Sequence, residues 1–223
     1  MSYLNPQDGS PTYVVTFNHD QKDIDHMKKF VIDQFEKQDV ATAEHKGSDQ
    51  VRKSSIFWFN DKSISAILMN CMNIANYETG WRYEITGHEA LQMTRYEVGG
   101  EYGWHVDGDA THMGAKYFDF EGKRELTSTV EPSLLGTIRK LSASVIINDD
   151  YEGGDFETMH LKDGNVVKSK VQAAPGSAII FPSSVTHVSY THLRAHETQR
   201  NLVCRLLREK KKETGGGGGG GGG

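Results

Sequence analysis

Cysteine is nearly missing from this chain. Cys71 and Cys204 are the only two in 223 residues, too few for a disulfide framework or a four-cysteine zinc site, and a reducing compartment fits. Long apolar runs are missing as well. No stretch reaches the ~18 residues that a membrane helix needs, and residues 1–15 lack a basic start followed by an apolar core, so a soluble cytoplasmic protein is expected. Glycine is only ordinary in frequency once residues 215–223 are set aside, because that run holds nine of the 24, which excludes a collagen-like repeat. What remains is ordinary: 36% hydrophobic and 25% charged residues point to a folded domain rather than a disordered chain.

Basic charge is also scarce in most of the chain. Residues 188–223 carry seven lysines and arginines against three glutamates, which leaves 18 basic and 27 acidic groups in residues 1–187. An acidic body argues against a nucleic-acid partner, whose affinity comes largely from neutralised phosphates.

Two helices are expected early. Ile24, Met27, Val31 and Phe35 share one face of residues 21–38, and Ile64, Ile67, Leu68, Cys71, Met72 and Ala75 share one face of residues 61–75. Residues 13–17 and 55–59 read as strands and 40–50 as a polar loop. From residue 80 the period becomes that of strands, at 81–85, 90–96, 141–148, 155–161, 166–171, 177–181 and 184–188, with Asp163-Gly164 as a tight hairpin. The fold class expected is α+β and mainly β: an antiparallel sandwich or barrel buttressed by N-terminal helices. Residues 108–136 form a long polar insertion of the kind that serves as a lid or binding loop.

The chemistry lies in Tyr96-Glu97-Val98-Gly99-Gly100-Glu101-Tyr102-Gly103-Trp104-His105-Val106-Asp107. Residues i and i+2 of a strand point to one face, so the His105 imidazole and the Asp107 carboxylate can converge. A third donor must come from another strand. His187, 80 residues after Asp107 in the run Phe181-Pro182-Ser183-Ser184-Val185-Thr186-His187, is the best placed. Two histidines and one carboxylate with open positions suit a non-haem Fe(II) oxygenase, and the same donors also serve zinc. His-x-Asp by itself is equally a hydrogen-bonded surface pair.

These residues resemble a family. The segment from Leu91-Gln92-Met93-Thr94-Arg95-Tyr96 to Asp107 looks like the first ligand strand of prolyl-4-hydroxylase-like 2-oxoglutarate/Fe(II) dioxygenases. Arg139-Lys140-Leu141-Ser142, Asp150-Tyr151-Glu152-Gly153-Gly154-Asp155-Phe156, and Pro175-Gly176-Ser177-Ala178-Ile179-Ile180-Phe181-Pro182 with His187 follow in the order of the PKHD-type hydroxylases of bacteria and phages. The resemblance implies a double-stranded β-helix, or jelly roll, in residues 1–187, with its catalytic core at about 80–187. It implies Fe(II) on His105, Asp107 and His187, with 2-oxoglutarate and O2 at the open positions and ascorbate as reductant. The implied reaction hydroxylates a prolyl or other amino-acid side chain, of a peptide or a free amino acid, and releases succinate and CO2. It also implies a bacterial cytoplasm, or that of the host if phage-encoded. Tyr96 matches a tyrosine whose hydroxyl reaches the co-substrate.

One departure stands out. The family places a basic residue ten positions after the distal histidine to receive the far carboxylate of 2-oxoglutarate; here that position is Glu197. Arg200, at the head of Arg200-Asn201-Leu202-Val203-Cys204, is the substitute if that run forms the last strand. Residues 188–223 also resemble a translated sequencing-adapter read-through, so a non-native or disordered tail is expected there. Two rival functions remain at this stage: a cupin-like metal-binding barrel without oxygenase chemistry, and a zinc hydrolase using the same donors. The second lacks a His-Glu-x-x-His helix.

Overall fold

The structure is a computed structural model in which residues 2–4, 14–37, 41–47, 50–96, 101–108, 116–118, 124–126, 136–148, 155–189 and 199–208 are described. Its first half supplies β1 (Ser2–Leu4), β2 (Val14–Asn18), helix α1 (Gln21–Lys37), β3 (Ala41–Gly47), β4 (Gln50–Phe59) and helix α2 (Lys62–Glu78). The remainder is strand: β5 (Gly87–His88), β6 (Leu91–Tyr96), β7 (Glu101–His105), β8 (Lys116–Phe118), β9 (Arg124–Leu126), β10 (Ile138–Ile146), β11 (Phe156–Lys162), β12 (Asn165–Lys170), β13 (Ser177–Pro182), β14 (Thr186–Ser189) and β15 (Gln199–Arg208).

The hydrogen-bonded order is β1-β2-β13-β10-β15-β6-β4-β7-β14-β11-β12, all antiparallel, with β3 on β4 and β5 on β15. Strand β4 joins the two halves of this ladder, pairing with β6 through Ser55–Phe59 and with β7 through Arg52 and Lys53. One group of strands, β6-β15-β10-β13, and another, β7-β14-β11-β12, thus interleave along the chain. That is the jelly-roll arrangement expected from the sequence.

Alternation along the strands creates two cores. In β10, Leu141, Ala143 and Val145 join Ala178 and Ile180 of β13, Leu91 and Met93 of β6, and the helix residues Met27, Val31, Ile64, Leu68, Cys71 and Met72. This cluster lies between the helices and one face of the sheet, where the amphipathic stripes read in the sequence are buried. The other face carries Val14, Ile146, Phe156, Ile179 and Phe181, a second cluster inside the roll. Burial on the helix side pushes the Cys71 thiol up to about 12, so it behaves as a small apolar side chain.

Local chemistry sets the boundaries. Asp61 caps α2 by accepting from the Ser63 and Ile64 amides, both at 2.9 Å. Asp163 and Gly164 both have positive φ, 50° and 76°, as the hairpin joining β11 to β12 requires. Residues 81–85, expected as a strand, are coil. The Asn76 side chain holds both the amide and the carbonyl of Tyr83, at 2.9 and 2.8 Å, and Arg82 has φ 56°, so this backbone cannot join a ladder. The expected loop at 40–50 contains β3, an edge strand paired only with β4; its polar composition gave no buried face to read. Of the 108–136 insertion, β8 and β9 pair with each other, and 109–115, 119–123 and 127–135 lie outside the described residues.

Residues 199–208, which include the run Arg200 to Cys204 offered above as a last strand, form β15 between β10 and β6, pairing from Ile138↔Arg208 to Ile146↔Asn201 with one irregularity between Arg139 and Leu141. Residues 190–198, with Glu197, and 209–223 are outside the described residues.

Candidate metal centre

Strand β7 ends at His105, and the chain turns through Val106 to Asp107; Val106 points outward and is 40% exposed, while its neighbours are buried. Strand β14 runs antiparallel beside β7 with His187 directly opposite His105. The two imidazole rings are 4.2 Å apart between centroids. Asp107 reaches both: its Oδ1 is 3.7 Å from Nε2 of His105, and its Oδ2 is 3.9 Å from Nε2 of His187. Among the described residues these three form a group whose donor atoms all lie within 4.8 Å of one another.

The protonation pattern follows from the neighbours. Nδ1 of His105 is 2.8 Å from the Gly103 carbonyl, and Nδ1 of His187 is 3.0 Å from the Val185 carbonyl. A carbonyl only accepts, so each Nδ1 carries the proton and each Nε2 presents its lone pair toward Asp107. Separations of 3.7 and 3.9 Å exceed hydrogen-bond length and are within the roughly 4.2 Å that two donors on one ion, each about 2.1 Å from it, can span. Buried, neutral imidazoles aimed at a buried carboxylate fit a divalent cation with three protein donors and open positions.

Aromatic rings wall the histidines. Tyr102 stacks on His105 with centroids 3.6 Å apart, and Phe181 and Phe156 lie 4.6 and 5.4 Å from His187. They exclude water on the closed side and hold the rings by contact. Phe156 and Phe181 belong to the strand runs read earlier, but only the fold brings their rings against His187. Outside, a groove of about 490 Å³ lined by Trp81, Tyr83, Met159, Leu161, Val185 and Thr186 opens beside the residues that precede His187.

The remaining expected site residues are placed by register. Tyr96 is 2% exposed, at the end of β6, on the strand face shared by Gln92 and Thr94. Its cross-strand partner is Gln199, and Arg200 sits opposite Arg95. Among the described residues no helix is long and apolar enough to cross a membrane.

Comparison with known proteins agrees with this geometry. No family model matches the chain. A PKHD-type hydroxylase of Synechococcus sp. (strain CC9902) is 32% identical over 98 residues, 44% of this chain, and the match spans about a third (33%) of that protein's length. The viral collagen prolyl hydroxylase of Paramecium bursaria Chlorella virus-1, solved with 2-oxoglutarate, superposes with a TM-score of 0.57 at 15% identity, over 90% of this chain and 98% of that one. A prolyl hydroxylase from Trichoplax adhaerens, solved with a hypoxia-inducible-factor peptide fragment, gives 0.59 at 14% identity, over 87% and 83%. The jelly roll that carries His105, Asp107 and His187 is therefore the fold of the prolyl hydroxylases.

Proposed function

We propose that the protein is a 2-oxoglutarate- and Fe(II)-dependent dioxygenase that hydroxylates a prolyl or other amino-acid side chain in a peptide, with succinate and CO2 as co-products. The observation that carries the reading is the convergence of two Nε2 lone pairs and one carboxylate on the inner face of the roll. Partial identity to a PKHD-type hydroxylase supports it, as do folds shared with proteins solved with 2-oxoglutarate and with a peptide.

His105, Asp107 and His187 would hold the metal, which supplies oxygen activation when bound. The chain's own work is to orient and to exclude. The Gly103 and Val185 carbonyls keep both imidazoles in the ligating tautomer, and Tyr102, Phe156 and Phe181 keep water from the closed side. One carboxylate against a divalent ion leaves net positive charge, which favours an anionic keto acid. Tyr96 is the proposed contact to that co-substrate. Tyr96→Phe should raise the KM for 2-oxoglutarate by about tenfold, one hydrogen bond. The aromatic groove beside Val185 and Thr186 would take the extended peptide.

The test is to supply the purified protein with Fe(II), ascorbate, O2 and 2-oxoglutarate and to measure succinate, then to screen peptides by mass spectrometry for a gain of one oxygen. Succinate release that stops on anaerobic incubation supports the reading. Stoichiometric metal binding with no 2-oxoglutarate binding would replace it with a metal-containing binding module.

A further inference from the structure

The chain around Asp107 is pinned at its backbone by Arg139 and Ser183. Arg139, at the start of β10, donates from Nε and Nη2 to the two carboxylate oxygens of Glu89, at 2.6 and 2.7 Å. Its third arm, Nη1, donates to the Asp107 carbonyl at 3.0 Å. On the other side of the same peptide, the amides of Asp107 and Gly108 both donate to the Ser183 carbonyl, at 3.0 and 2.9 Å. Ser183 is itself tied to β10 by its amide on the Lys140 carbonyl and its hydroxyl on Ser142, both at 2.9 Å. A Cβ at Gly108 would stand 2.9 Å from Cβ of Arg139 and 3.2 Å from Cβ of Ser183, so only glycine lets the three segments close this tightly.

We propose that Arg139, fixed by Glu89, is a positioning residue for the metal centre: it clamps the Asp107 main chain so that the carboxylate faces both histidines before a metal arrives. The inference rests on the reading of His105, Asp107 and His187 as metal ligands. Glu89 is 9% exposed, and a buried carboxylate needs a paired cation. The two-pronged contact to Glu89 orients the guanidinium plane, and the plane aims Nη1 at the carbonyl. Lysine could supply the charge but not both contacts at once.

The test separates positioning from plain stability. Co(II) titrations followed by the visible absorption of the bound ion would be run on wild type, Arg139→Lys, Arg139→Gln, Glu89→Gln and Asp107→Ala, with thermal melts of the metal-free proteins. The expected result is a 10–100-fold loss of Co(II) affinity, the usual scale for outer-shell partners of metal ligands, in all three clamp variants. The visible band should shift in Arg139→Lys, whose metal-free melting stays near that of wild type. Wild-type affinity and an unshifted band in folded Arg139→Lys and Glu89→Gln would overturn the inference while leaving the ligand assignment intact. Equal Co(II) binding by wild type and Asp107→Ala, or none by wild type, would overturn both. If Arg139→Gln does not fold, Glu89→Gln and Arg139→Lys decide the matter.

Discussion

Leu141 and Ser142 are neighbours on β10, both fully buried, and belong to different worlds. Leu141 faces α1 and α2 in an apolar cluster of helix and sheet residues. Ser142 faces the inside of the roll, where its hydroxyl meets Ser183 and, through the Ser183 carbonyl, the Asp107 turn. The helix side contains the dry packing that stabilises the sheet; the inner side contains His105, Asp107, His187, Gln92 and Thr94, polar groups that are buried only because they are partnered or aimed at a ligand. Beyond the irregularity that follows Arg139, neighbouring residues of β10 thus serve the helix-side packing and the inside of the roll in turn, separated by a single peptide.

That division can be broken from either side. The largest stability effect is expected from Leu141→Ala, a loss of about 2–5 kcal/mol in denaturant unfolding, with Co(II) affinity of the folded fraction unchanged. Ser142→Ala should cost about 1 kcal/mol and yet be the variant of the pair that weakens metal binding; the reverse pattern would refute the assignment of the faces. Asp61→Ala removes the cap of α2 and should cost about 1 kcal/mol without touching the centre. The Ser63 hydroxyl and the Ile64 and Ser63 amides hold the Asp61 carboxyl below its ordinary range. The cap's contribution is therefore complete above the unfolded carboxylate pKa and falls away as the pH drops through the folded one, an acid limb that Asp61→Asn should flatten. The smallest effect concerns Cys71. With its thiol raised to about 12, a Cys204→Ser variant should react with a thiol reagent at pH 8 only as fast as the protein opens; immediate labelling would show that the helix side is wet.

Much of this was legible in the sequence, for reasons that can be named. Strands β6, β10, β11, β13 and β14 were found to within about three residues because each buries at least one face, which forces alternation or a continuous apolar run; β12, with no buried residue, was marked by the Asp163-Gly164 turn before it. The convergence of His105, Asp107 and His187 was legible because two donors sit two apart at the end of one predicted strand and the third follows an apolar run leading into another. Strand β3 was not, since an edge strand of Ala-Thr-Ala-Glu-His-Lys-Gly has no core face to advertise. Trp81 and Tyr83 suggested a strand by their aromatic character, but Asn76 decides the backbone there from seven residues away. The Glu89–Arg139 pair leaves no mark in any window, because its partners are 50 positions apart. The break in composition after residue 188 suggested an end to the domain, whereas the unpaired edges of β10 and β6 accept residues 199–208 as a strand.

The central claim, that three inner-face side chains make one metal site, is tested most directly by anaerobic Fe(II) binding to wild type and to His187→Ala, with circular dichroism to confirm the fold. One equivalent of Fe(II) bound by wild type, and affinity lowered by well over 100-fold in the folded variant, is the predicted result. Equal stoichiometry and affinity in the two proteins would contradict it.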